Sequence, residues 1–154
     1  MNKDYPVIDA DVLIIVGGSA GVMAAIRAKE LHPDQKVVVF EKGDMKYSGC
    51  IARGMDAMNI VAVPGISTPE LYVESNSIAC EGIMDEPVNY RMAERSWEMM
   101  KKLEDWGVCF PKDEDDQYDI LQVHPKGKFC VTMKEPELKT ILAKKAVDLG
   151  TKII

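Results

Sequence analysis

The segment from position 12 to position 41 constrains the fold more than any other part of the chain. Val12-Leu13-Ile14-Ile15-Val16 is an all-apolar, mostly β-branched run, and Gly17-Gly18-Ser19-Ala20-Gly21 follows it at once. A helical stretch then reaches Leu31, and a second apolar run, Lys36-Val37-Val38-Val39-Phe40, ends on Glu41. Strand, glycine turn, helix, strand and terminal acid make the first βαβ unit of a Rossmann-like dinucleotide-binding fold. A strand with no polar residue fits a parallel sheet covered on both faces. Glycines let the chain turn into the helix and let the backbone approach a pyrophosphate without a Cβ in the way. The unpaired amides and dipole of the helix N-terminus favour that negative charge. Glu41 stands 20 positions after Gly21 (41 − 21). An acid there accepts hydrogen bonds from ribose hydroxyls and repels a 2′-phosphate, which disfavours NADP.

The register of the G-x-G-x-x-G pattern places Val16 where the first glycine belongs, with Gly18 and Gly21 as the second and third. A β-branched residue is poorly suited to the backbone angles of such a turn. Three readings follow: Gly17 absorbs the turn, the site is strained, or binding is weakened.

The remaining chain reads as α/β. The 154 residues suffice for one domain with a core. The net charge of −6 argues against nucleic acid or anionic membrane as a partner. No apolar run reaches transmembrane length, and Met1-Asn2-Lys3-Asp4-Tyr5-Pro6 has no secretory core. Cys50, Cys80, Cys109 and Cys130 are far apart, so with two histidines no zinc pattern forms, and reduced thiols in a cytoplasmic protein are the simple reading.

Positions 42–66 read as a long glycine-containing loop, with the apolar residues Ile51, Met55, Met58, Ile60 and Val61 pointing to packing. Thr68-Pro69-Glu70 starts a helix that runs to about Ala79, and a second runs from Asp85-Glu86-Pro87 to Trp106, ahead of Gly107. Val88, Met92, Met99, Leu103 and Trp106 are expected to face the core, with Met99 and Met100 as fillers. Val108–Phe110 reads as a strand, and Lys112–Gln117 as a solvated acidic turn without the glycine and distal acid of a calcium loop. Tyr118–Val123 and Lys128–Thr132 read as a hairpin around His124-Pro125-Lys126-Gly127, where His124 is a candidate base but, as a lone histidine at a turn, is expected to be merely exposed. A last helix carries Leu138, Ile141, Leu142 and the stem of Lys145 on one side, and Gly150 is its cap. Thr151–Ile154 starts a further strand, which reads as the end of an N-terminal piece of a longer protein or of a natural truncation of one. The expected layout is an arm over 1–9, the βαβ and loop over 10–66, a helical pair over 67–107, and hairpin, helix and strand start over 108–154.

Val12–Glu41 with Lys42, together with Lys46-Tyr47-Ser48-Gly49-Cys50-Ile51-Ala52-Arg53-Gly54-Met55-Asp56-Ala57-Met58-Asn59, resembles the flavoprotein subunits of the fumarate reductase / succinate dehydrogenase family. Within that family it is similar to the adenylylsulfate reductase α subunits, where a Ser-Gly-Cys run precedes Ala-Ala-Gly-x-Asn-Ala. Thr68–Val73, Glu81-Gly82-Ile83 and Lys101–Val108 extend the resemblance over most of the chain. The resemblance implies FAD as the dinucleotide, with Gly18, Ser19, Ala20 and Gly21 on the pyrophosphate and Glu41, beside Lys42, on the adenosine ribose. It places Ser48, Gly49 and Cys50 along the pyrophosphate and ribityl region, and Gly54, Met55 and Asp56 near the isoalloxazine ring. Asp56 replaces the asparagine of the adenylylsulfate reductases, and a carboxylate there raises the cost of an anionic reduced flavin. Positions 42–59 hold no histidine, so the flavin is expected to be noncovalent. An iron–sulfur electron-transfer subunit is a partner by resemblance only, since this chain has no cluster spacing of its own.

The leading expectation is therefore the FAD-binding N-terminal portion of a flavoprotein oxidoreductase that transfers two electrons to or from a small acid or sulfur oxyanion. The portion alone is expected to lack turnover. The alternatives are a cofactor-free α/β structural or interaction module and, below it, an NAD-binding domain.

Overall fold

The computed structural model describes residues 6–154. Of the arm expected over 1–9, residues 1–5 lie outside the described residues. The elements in chain order are β1 (Val12–Ile15), α1 (Ser19–Leu31), β2 (Val37–Phe40), two 3-10 turns (Met45–Tyr47 and Cys50–Arg53) and β3 (Met55–Met58). They continue with α2 (Pro69–Ala79), α3 (Glu86–Asp105), β4 (Ile120–Leu121), β5 (Cys130–Glu135), α4 (Leu138–Asp148) and β6 (Lys152–Ile153). Two compact units result: the chain up to Gly54 with Pro136–Ile154, and Met55–Glu135.

The first unit is built on a parallel sheet of order β1-β2-β6. β1 and β2 pair in register from Val12↔Val37 to Ile15↔Phe40, and β6 joins the other side of β2 through Val38↔Lys152 and Val39↔Ile153. Val37, Val38 and Val39 are buried, as are Val22, Ala25 and Ile26 of α1, which packs on β2 and α4. Full burial of a valine or isoleucine side chain is worth roughly 1.5–3 kcal/mol, so these six apolar residues dominate the local energetics. β1 departs from the expected double burial: Leu13 is 53% exposed and Ile15 61% exposed. It is an edge strand here, and among the described residues one of its faces is uncovered.

The last helix also buries a different stripe from the expected one. Leu138, Lys139, Leu142, Ala143 and Ala146 point inward, whereas Ile141 and Lys145 are half-buried. The inward set follows i, i+4, i+8 spacing from Leu138 and i, i+4, i+7 spacing from Lys139. Gly150, at φ 88°, follows the helix, and the Thr151 amide returns to the Ala146 carbonyl at 3.0 Å.

The second unit holds an antiparallel sheet of order β3-β5-β4 and the packed pair α2 and α3. Tyr72, Ala93 and Phe129 form its buried cluster, with Ile60 and Leu71 against it. The helix starts follow the sequence: Thr68 Oγ1 accepts the Leu71 amide at 3.2 Å, and Asp85 Oδ1 accepts the Val88 amide at 3.0 Å. Several expectations change. The stretch over 42–66 is not one loop, because it contains two 3-10 turns and β3, which pairs with β5 through Ala57↔Thr132 and Met58↔Val131. On α3 the core side is Ala93, Ser96 and Met100, while Val88 and Met92 are exposed. Ser96 explains part of that rotation, since its hydroxyl accepts the Ala62 amide at 2.9 Å and donates to the Ala93 carbonyl at 2.6 Å. Val108–Phe110 forms no strand; the Cys109 carbonyl accepts the Lys134 amide at 3.1 Å without a ladder forming. His124 is half-buried, edge-on to Tyr72 and Phe129 with centroids 5.5 Å away in each case. Its contacts are those of a packing residue. No helix among the described residues is long and apolar enough to cross a membrane.

Candidate functional site

The turn between β1 and α1 is pinned from several sides. The Val16 amide continues the sheet by donating to the Phe40 carbonyl at 2.8 Å. Val16 then takes φ 72°, the left-handed region, which is a strained conformation for a β-branched residue. Of the three readings open from the sequence, strain at position 16 is the one the backbone shows. Gly21 is required by close approach: a Cβ there would stand 2.0 Å from the Val16 carbonyl oxygen.

Glu41, at the end of β2, folds back over this turn. Its Oε2 accepts the Gly17 amide at 2.6 Å, and its Oε1 accepts the Gly43 amide at 3.0 Å. These two backbone donors, Gly17 first, hold the carboxyl below the usual carboxylate range. The Ser48 hydroxyl adds to the same lowering, which places Ser48 beside this carboxylate. Gly49, at φ 85°, runs against the same turn: a Cβ on it would meet the Gly18 Cα at 3.1 Å. Gly18 itself is open, since a Cβ there would meet nothing within 4 Å. The first turn of α1 carries no side-chain cap and no acid. Its amides are left without a side-chain partner beside the Gly49 backbone, and backbone donors of this kind are what an anionic diphosphate requires.

The structure thus brings together Val16, Gly17, Gly18, Ser19, Ala20, Gly21, Glu41 and Gly49. Lys42 and Cys50 are exposed, and the Ser48 hydroxyl donates to the Asp44 carbonyl at 3.1 Å. Gly54, at φ 85°, closes the second 3-10 turn by donating to the Ile51 carbonyl at 3.1 Å. Met55 and Asp56 belong to β3 in the other unit, where Asp56 is exposed. Met55 there lines an open, largely apolar groove of about 780 Å³ with Met58, Met92 and Met99.

One residue escaped the sequence. Lys139 of α4 is 1% exposed, and its ammonium donates to the Gly17 carbonyl. Burial pushes this lysine below its usual value, against the opposing pull of Glu41 and Asp44. The available signal was the pair Ala143 and Ala146, small residues on the same helical face as Lys139.

Residues 11–145 match the family model described as the FAD binding domain. The chain belongs to this FAD-binding family. Its cofactor is FAD, which decides against the nicotinamide reading. The chain is 32% identical over 120 residues to L-aspartate oxidase of Vibrio cholerae, an alignment that takes in 74% of this chain and 20% of that enzyme. Among solved structures, adenylylsulfate reductase of Archaeoglobus fulgidus superposes with a TM-score of 0.82 at 26% identity, covering 96% of this chain and 24% of that one. A quinol fumarate reductase chain of E. coli superposes with a TM-score of 0.81 at 16% identity, covering 95% of this chain and 26% of that one. The FAD-binding domain described here has the fold found in fumarate-reductase-type flavoproteins, and it spans about a quarter or less of the length of these relatives.

Proposed function

We propose that this domain holds FAD noncovalently as the N-terminal portion of a fumarate-reductase-type flavoprotein oxidoreductase, which moves two electrons between the flavin and a small acid or sulfur oxyanion. The observation that carries the reading is the open Gly18 turn at the uncapped start of α1, set beside the pinned carboxylate of Glu41. Gly18, Ser19, Ala20 and Gly21 take the pyrophosphate on backbone amides, next to Val16 and Gly17. Glu41 accepts the adenosine ribose hydroxyls, with Lys42 beside it. Ser48, Gly49 and Cys50 are assigned to the pyrophosphate and ribityl chain, and Gly54, Met55 and Asp56 to the flavin ring. FAD supplies the redox chemistry when bound; the chain's part is binding and orientation. Substrate residues, and contacts to an iron–sulfur subunit, are assigned to the remainder of the flavoprotein. This portion alone has no turnover.

The test is ligand-linked stability. A ligand at one hundred times its dissociation constant stabilises by about 2.7 kcal/mol, which raises the melting temperature of a domain this size by about 5–10 °C. FAD is expected to produce that shift, and NADP none. A colourless preparation whose melting is indifferent to millimolar FAD would instead support the cofactor-free module.

A further inference from the structure

We propose that Lys139 is a positioning residue for the dinucleotide: by gripping the Gly17 carbonyl from behind, its ammonium aims the Gly18 amide at the pyrophosphate and sets a positive charge behind the turn. The inference rests on the FAD reading above and assigns a role to a residue outside the glycine fingerprint.

A lysine is rarely fully buried without a partner. Lys139 is 1% exposed, and its hydrogen bond goes to Gly17, which lies 122 positions away in the chain. Lys139 is one of the buried residues of α4, with Leu138, Leu142, Ala143 and Ala146. In a trans peptide the carbonyl and the following amide point in opposite directions. Holding the Gly17 carbonyl toward Lys139 therefore turns the Gly18 amide away from it. The amide of Gly17 is held independently by Glu41 at 2.6 Å. Both peptide groups flanking Gly17 are thus fixed before any ligand arrives, which is how preorganised donors gain affinity.

The ammonium also contributes charge. The charged groups acting on it are Glu41 at the end of β2 and Asp44 before the Met45–Tyr47 turn, while α1 and the Cys50–Arg53 turn supply none. Glu41 is already held by the Gly17 and Gly43 amides and by Ser48, and the Lys139 ammonium donates to the Gly17 carbonyl. An incoming diphosphate adds negative charge on the far side of the turn and favours the ammonium form. Binding therefore takes up protons where free Lys139 has begun to lose its own, and affinity falls as pH rises. A lysine that merely satisfied a buried carbonyl would alter apo stability without this pH slope.

The experiment measures FAD and ADP binding by calorimetry to the wild-type chain, K139M and K139R, from about pH 7.5 to about pH 10. ADP carries the diphosphate and ribose without the flavin. Wild-type affinity for both probes should fall toward the alkaline end of that range, because the free chain gives up the lysine proton before the complex does. K139M, with a wild-type circular dichroism spectrum, should bind both about tenfold more weakly at the lower pH and show no slope. K139R, whose charge persists, should also lose the slope. If folded K139M binds FAD and ADP like the wild type, or if the wild-type profile is flat, the inference is overturned while the FAD reading stands. If K139M does not fold, the wild-type profile alone decides. A wild-type chain that binds neither probe at any pH overturns the FAD reading and the inference with it.

Discussion

Replacing Val16 with glycine tests the geometry of the turn most directly. Val16, Glu81 and Asp116 are the non-glycine residues with positive φ among the described residues, and Val16 is the β-branched one. A non-glycine residue in this region costs about 1–3 kcal/mol, with β-branched residues toward the upper end. Two terms oppose the relief. Glycine loses about 1 kcal/mol more backbone entropy on folding. The valine side chain is 60% exposed, so its covered part contributes only about 0.6 kcal/mol of burial. The net gain is about 1 kcal/mol, or a melting temperature about 2–4 °C higher for a chain of this length. The turn already holds this conformation without a ligand, so the strain is common to the free and the FAD-bound chain, and its relief raises stability while leaving FAD affinity little changed. The assay is thermal unfolding followed by circular dichroism, with FAD affinity from flavin fluorescence. V16A is the control: it keeps a Cβ at positive φ and should recover much less. A V16G protein that melts at or below the wild type would refute the reasoning.

Two further outcomes follow from the same turn. G21A places a methyl group 2.0 Å from the Val16 carbonyl oxygen, so the turn must open. The expected loss is about 3 kcal/mol in urea unfolding, together with loss of FAD binding, whereas G18A, in open space, should fold normally. Glu41 has a carboxyl held below the usual carboxylate range by the Gly17 and Gly43 amides. Its contribution to stability is therefore complete above the unfolded carboxylate value and is lost as pH falls through the lower folded value. Denaturant titrations on the acid side should show this slope in the wild type and a shallower one in E41Q; equal slopes would remove Glu41 as the source.

What was legible in the sequence is what neighbours along the chain decide. The run Val12–Val16, the glycines to Gly21 and the acid at 41 specify strand, turn, helix and strand, because apolar continuity, chain reversal and helix start are all local matters. Thr68 and Asp85 likewise mark their helices, since a cap bonds an amide three residues on. Burial is different, because it depends on which element arrives from elsewhere. Met55–Met58 reads as loop along the chain and is a strand only because Cys130–Glu135 lies beside it, and no local pattern encodes a partner more than seventy positions away. The same dependence rotates α3 so that Ser96 rather than Met92 faces inward, and leaves half of β1 uncovered. It also places the Lys139 ammonium on the Gly17 carbonyl. Residue order determined the glycine turn between β1 and α1; the folded chain alone decided which strands flank it and which charge stands behind it, since pairing and burial are properties of contacts and not of neighbours in sequence.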